Sequence, residues 1–193
     1  MKKLIFATNN QHKLGEIKNI LSGKYEVFGL KDIGFAGDIP EIGTTLQENA
    51  SIKSKFVFEK YKMDCFSDDT GLEIDALGGK PGVFSARYAG EDGNSEKNIK
   101  KVLSKMAGSS NRKARFKTVI SLILNGKEYF FEGKVDGRII FKKRGATGFG
   151  YDPIFIPDGY KRTFAEMDLA TKNKISHRAM ASAKLVQFLE NEI

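Results

Sequence analysis

Three carboxylates have the surroundings that chemistry needs. Glu41 lies in a long polar stretch, and Asp68 and Asp69 stand side by side between the apolar segments around Cys65–Ser67 and Leu72–Ala76. Carboxylates left unpaired at such a junction are costly. A hard divalent cation such as Mg²⁺ takes a few carboxylate oxygens together with waters and substrate phosphates, so Glu41 and Asp69 could share one ion. A pair of solvated turn acids is the plainer alternative.

The run Thr8-Asn9-Asn10-Gln11-His12-Lys13 joins an apolar segment to a helical pattern. Backbone N–H groups at a helix start, hydroxyl and amide side chains and one lysine can cradle phosphates. A Walker A loop is absent, however, and an ordinary Asn-rich turn explains the segment in isolation. Within G-F-G-Y-D-P, Phe149 could lie flat on a purine and Asp152 could accept from ring N–H groups, although a loop Phe can equally plug a core. Lys172, His177 and Arg178 gather near a helix start, where the macrodipole disfavours cations. An anion bound there would account for them. His12 reads as a surface residue.

These residues must be positioned by the elements between them. Lys2–Ala7 reads as a buried strand, TNNQ as a turn, and His12–Leu21 as a helix with Leu14, Ile17, Ile20 and Leu21 on one face. Tyr25–Leu30 alternates as a strand, and Asp32–Gly43 reads as a long loop. Thr45 and Glu48 form a capping box before a helix carrying Leu46, Ala50, Phe56, Val57 and Tyr61. Two short strands follow, broken by a polar turn over Asp68–Gly71. After a glycine-rich loop, a helix runs from Asn94 to Met106. Asn125-Gly126 predicts a hairpin between Ala114–Leu124 and Lys127–Ile140. A loop over Arg144–Pro153, a strand at Ile154–Ile156, a turn or two near Ala165–Lys172 and a helix capped by Ser176 complete the chain. The order implies a mixed α/β chain with two lobes.

The 193 residues are 40% hydrophobic and 29% charged, with 4 Pro and 20 Gly, which excludes collagen-like and disordered classes. One cysteine and two histidines exclude an intrachain disulfide and a zinc cluster. The amino-terminal apolar run is too short for a signal peptide, and later runs are strand-sized, so a cytoplasmic protein without membrane spans is expected. Net charge is +8, split as −3 over residues 1–96 and +11 over 97–193. That bias suggests a polyanionic ligand, either nucleic acid or a small phosphorylated molecule, unless it is a solvated lysine surface.

Taken together, TNNQHK at 8–13, E-x-G-x-T-x-x-x-N-A from Glu41 to Ala50, DDTGLEIDALGGKPGVFSARYAG at 68–90, TGFGYDPIF at 147–155, TFAEM at 163–167 and ISHR at 175–178 resemble the inosine/xanthosine triphosphate pyrophosphatase family, the Ham1-like or RdgB-like nucleotide house-cleaning enzymes. The resemblance covers essentially the whole chain. It implies a homodimeric, Mg²⁺-dependent hydrolase that cleaves ITP, dITP and XTP to the monophosphate and pyrophosphate, with no stable nucleic-acid partner. The implied fold is an elongated, mixed-sheet α/β domain of two lobes over residues 1–193, Ham1/Maf-like, with the active site in the central cleft.

By position, the resemblance assigns Thr8, Asn9, Asn10, Gln11, His12 and Lys13 to the triphosphate, with Lys53 as a further phosphate contact. Glu41 and Asp69 would handle the metal, Asp69 would accept the proton, and Thr70 would lie beside the substrate. Phe149, Gly150, Tyr151, Asp152, Lys172, His177 and Arg178 would hold the base, with His177 and Arg178 as donors to O6 and Asp152 as acceptor from N1–H. The family often has Gly where Asn9 stands, and the role of Asp68 stays open. The rival readings are a Maf-like pyrophosphatase with another base preference, against which the Phe149–Asp152 and ISHR segments argue, and a basic nucleic-acid-binding module, which would have no need of Glu41, Asp68 and Asp69.

Overall fold

Residues 2–90 and 93–191 are described by a computed structural model of the chain. The first apolar run forms β1 (Lys2–Phe6), followed by α1 (Gln11–Ile20) and β2 (Tyr25–Gly29). β1 and β2 pair in parallel, Leu4 opposite Val27, which the intervening helix makes possible. Asn10 caps α1 by accepting from the backbone N–H groups of His12 and Lys13. At α2 (Leu46–Tyr61) both halves of the Thr45/Glu48 capping box are formed.

β3 (Cys65–Ile74) corrects the expected break at Asp68–Gly71, for it is one uninterrupted strand. It lies between β1 and β5 (Lys113–Leu124) in the sheet, so neighbours on both sides draw its backbone groups into extended pairing. The polar side chains that suggested a turn are accommodated by buried partners instead. β4 (Pro81–Gly82) pairs with β3, and α3 (Ser95–Lys105) follows with Asn94 as its cap. β5 and β6 (Lys127–Ile139) flank Asn125-Gly126, whose φ angles of 51° and 77° are those of the expected tight hairpin. β7 (Phe155–Pro157) pairs antiparallel with β6. α4 (Leu169–Ile175) and α5 (His177–Asn191) end the chain. The sheet order is β2-β1-β3-β5-β6-β7, with β4 beside β3.

The chain divides into two compact units, with boundaries inside β3, β5 and β6. Unit 1 comprises residues 1–69, 118–133 and 178–193, and unit 2 comprises 70–117 and 134–177. Unit 1 has two apolar clusters: one joins Leu4, Phe6, Ile17, Phe66, Leu122 and Leu185, and the other joins Ile5, Leu30, Val57, Cys65 and Ile123. In unit 2, Leu72, Val102, Phe116, Ile139, Phe155 and Phe164 form the core. Among the described residues no helix is long and apolar enough to cross a membrane.

Candidate functional site

Within unit 1, β3 delivers Asp68 and Asp69 in succession, so their side chains point to opposite faces of the strand. Asp68 is 1% exposed. Its Oδ1 accepts from Lys13 Nζ at 2.9 Å, and its Oδ2 accepts from Arg178 Nε at 3.2 Å. Arg178 also donates through Nη1 to Glu16 on α1. Two acids and two cations thus form one buried, charge-balanced chain. Burial alone would raise the Asp68 carboxyl, but Lys13 and Arg178 outweigh it and hold the group well below the ordinary carboxylate range.

Asp69 faces a different set. Lys53 on α2 donates to Glu41 Oε1 at 2.6 Å and lies 3.7 Å from Asp69 Oδ1. Asn49, one turn earlier on the same helix, donates from Nδ2 to Asp69 Oδ2 at 3.1 Å. Burial pushes the Asp69 carboxyl up and Glu41 adds to this, with Lys53 and Lys13 opposing. Burial acts to lower the Lys53 ammonium, but Asp69, Glu41 and Asp68 together keep it raised. Glu41, Asp69 and Lys53 together carry two negative charges and one positive. That excess of hard oxygen donors over cation suits a divalent ion whose remaining ligands are phosphate oxygens and water. Among the described residues no group of three or more His, Cys, Asp and Glu is placed to hold a metal.

The 8–13 segment is tied into the same unit. Asn9 Nδ2 donates to the Gly37 carbonyl at 3.0 Å and to Asp38 Oδ1 at 2.9 Å. Asn10 spends its side-chain oxygen on the helix cap, and its own N–H donates to Thr8 Oγ1 at 3.1 Å. Gln11 reaches the Asn9 carbonyl, and His12 is exposed. The two asparagines therefore shape the loop, and Lys13 is its buried-facing cation.

Within unit 2, Asp152 Oδ2 accepts from the Phe149 backbone N–H at 2.9 Å and from Lys172 Nζ at 2.8 Å. The Lys172 ammonium also lies 4.9 Å from the centre of the Phe149 ring. Gly148 permits this closure: its φ is +76°, and a Cβ would sit 2.2 Å from Asp152 Oδ2. Tyr151 is anchored by its hydroxyl, which donates to the Ser85 carbonyl at 2.7 Å. His177 is buried, its imidazole stacked on Phe116 with ring centres 4.6 Å apart. Thr70 is half-buried on β3, and Gly150 has a positive φ in the loop.

The structure thus brings Lys13, Lys53, Glu41 and Asp69 together in unit 1, and Phe149, Tyr151, Asp152 and Lys172 together in unit 2. Arg178 is held between Asp68 and Glu16 within unit 1. Lys172 is paired with Asp152, and Arg178 at the α5 start with Asp68 and Glu16. Sequence reasoning missed Glu16, Asn49 and Ser85. Asn49 carried a legible signal, because it falls with Leu46, Ala50 and Val57 on the inner stripe of α2, where an amide must have partners.

The Ham1 family profile matches residues 4–188. The chain is 55% identical to a dITP/XTP pyrophosphatase of Porphyromonas gingivalis over 98% of both chains. The Ham1 protein of Staphylococcus aureus superposes with a TM-score of 0.90 at 40% identity, covering 100% of both chains. A nucleoside-triphosphatase described as a dITP/XTP pyrophosphatase from Mycobacterium abscessus gives 0.77 at 36% identity, over 95% of this chain and 98% of its own.

Proposed function

This chain belongs to the Ham1 family, and from that membership together with the grouped charges we infer that it is a dITP/XTP pyrophosphatase, hydrolysing non-standard purine nucleoside triphosphates to the monophosphate and pyrophosphate. The observation that carries the chemistry is the meeting of Glu41, Lys53, Asp69 and Asn49, which combines a buried and a half-buried carboxylate, an ammonium and an orienting amide.

Glu41 and Asp69 would hold Mg²⁺, which when bound supplies Lewis-acid stabilisation of charge on the transferring phosphoryl group. Asp69 Oδ1 receives the proton of the attacking water, and its burial moves its basicity in the direction a general base requires. Lys13 and Lys53 neutralise the departing pyrophosphate by charge-assisted contacts. Asp68 does not reach the substrate in this scheme. It fixes Lys13 and Arg178, which answers why two adjacent acids are present.

Base reading falls to unit 2, where Phe149 supplies a stacking face, and Lys172 and Asp152 a donor and an acceptor. Hypoxanthine and xanthine present O6 and an N1 proton, whereas adenine presents an amino group and a bare acceptor, so adenine is mismatched twice. Arg178, fixed at the α5 start by Asp68 and Glu16, and His177 beside it remain the expected donors to O6. We further propose that the protein is a cytoplasmic homodimer, for which light scattering should return twice the chain mass. A nucleic-acid-binding module would gain nothing from carboxylates buried among its cations.

Hydrolysis of ITP in ¹⁸O-labelled water tests the reaction. Attack at the α-phosphorus puts the label in the monophosphate. Label in pyrophosphate, or release of orthophosphate and IDP, would overturn the assignment.

A further inference from the structure

Asn49 is fully buried, at 0% exposure, and both ends of its amide are used. The backbone N–H of Gly43 donates to Oδ1 at 2.7 Å, and Nδ2 donates to Asp69 Oδ2 at 3.1 Å. The orientation has no alternative. A backbone N–H can only donate, so the amide oxygen faces Gly43 and the NH₂ faces Asp69. Gly43 is required for the approach, since a Cβ there would lie 2.7 Å from Asn49 Oδ1 and 2.9 Å from its backbone nitrogen. Glu41 stands two residues before Gly43, so one side chain ties the Glu41 loop and the Asp69 carboxylate together.

We propose that Asn49 is a positioning residue for the hydrolytic step, setting the rotation of the Asp69 carboxylate so that Oδ1, the oxygen on the Lys53 side, is the one that receives the water proton. This rests on the reading of Asp69 given above. The amide engages Oδ2 and thereby prevents the carboxylate from turning its two oxygens interchangeably toward the water. Misplacement of a reacting group by about 1 Å costs on the order of a hundredfold in rate, so the effect belongs in turnover and not in substrate affinity.

The test is pyrophosphate release from ITP by wild type, Asn49→Asp and Asn49→Ala, with affinity for an α,β-imido analogue of ITP and melting temperature measured in parallel. Asn49→Asp keeps the shape and the oxygen that Gly43 needs, but it presents an acceptor to Asp69. The expected result is a fall in kcat of about a hundredfold in both variants, with analogue affinity kept within about threefold. Turnover of Asn49→Asp near wild type would mean that the amide only holds the loop, and would overturn the proposal. If Asn49→Asp fails to fold, Asn49→Ala decides: a kcat near wild type, or a loss confined to analogue affinity, overturns it. Wild-type enzyme that releases no pyrophosphate from ITP would remove the reading of Asp69, and the proposal with it, whereas active variants beside an active wild type remove the proposal alone.

Discussion

Asp68→Asn isolates the buried charge chain Lys13–Asp68–Arg178–Glu16. The substitution keeps shape and volume and removes one negative charge between two cations. Lys13, whose side chain is 14% exposed, can recover part of its hydration by a small rotation. Arg178 cannot, being 1% exposed, and it is left with Glu16 alone. Breaking a buried pair costs about 3–5 kcal/mol. Because Arg178 retains one carboxylate, the lower end, about 3 kcal/mol, is expected, which for a chain of this size corresponds to a melting shift of about 6–12 °C. The pH dependence adds a second handle. Asp68 is held below its unfolded value, so its contribution is fully present above about pH 4 and is lost as pH falls toward the folded value. The gap between wild type and variant should therefore be constant from pH 7 to 5 and then narrow by about 1.4 kcal/mol per pH unit below about pH 3.9. Urea unfolding across this range measures it. A difference under about 1 kcal/mol at pH 7, or a gap that widens on acidification, would refute the reasoning.

Lys53→Met removes the cation facing Glu41 and Asp69, so the variant should melt lower than wild type in chelator, recover on Mg²⁺ addition, and bind Mg²⁺ more tightly in calorimetry without nucleotide. Equal Mg²⁺ affinity would contradict the charge count at that pair. Lys13→Ala should raise KM for every triphosphate alike by about 10- to 150-fold, the equivalent of a charge-assisted contact worth about 1.5–3 kcal/mol; a change in the ratio of ITP to ATP efficiency would reassign the loop to base reading. Phe149→Ala should weaken purine substrates by about 1–3 kcal/mol while leaving the order among them unchanged, as read from kcat/KM.

Where local chemistry decides a feature, the sequence was sufficient. Thr45 and Glu48 form both bonds of the expected box because the cap lies within four residues of its own helix. Asn125 and Gly126 adopt left-handed backbone because the hairpin twist demands it. The run Asp68–Gly71 misled for the opposite reason. Its polarity suggests a turn, yet partners that sequence does not place beside it, Lys13 and Arg178 at 55 and 110 residues' separation from Asp68, and Asn49 and Lys53 beside Asp69, make those carboxylates tolerable inside a central strand. That Arg178 is itself held between Asp68 and Glu16 is likewise visible only in the tertiary structure. Glu16 itself reads as an ordinary exposed helix residue, one turn after Lys13. Asn49 stood within a quoted motif, but its significance depends on Gly43 and Asp69 converging on one amide.

The central claim is selective hydrolysis of non-standard 6-oxo purine nucleotides at a carboxylate site proposed to need a divalent cation. The most direct measurement is kcat/KM for pyrophosphate release across ITP, XTP, GTP, ATP and pyrimidine triphosphates, with Mg²⁺ present and chelated. ITP and XTP should stand well above GTP, ATP and the pyrimidine nucleotides should be lowest, and release should vanish in chelator, since a site built to hydrogen-bond O6 and N1–H can reject its mismatch by about 10⁴. Comparable efficiency on ITP and ATP, or undiminished release without a divalent cation, would contradict it.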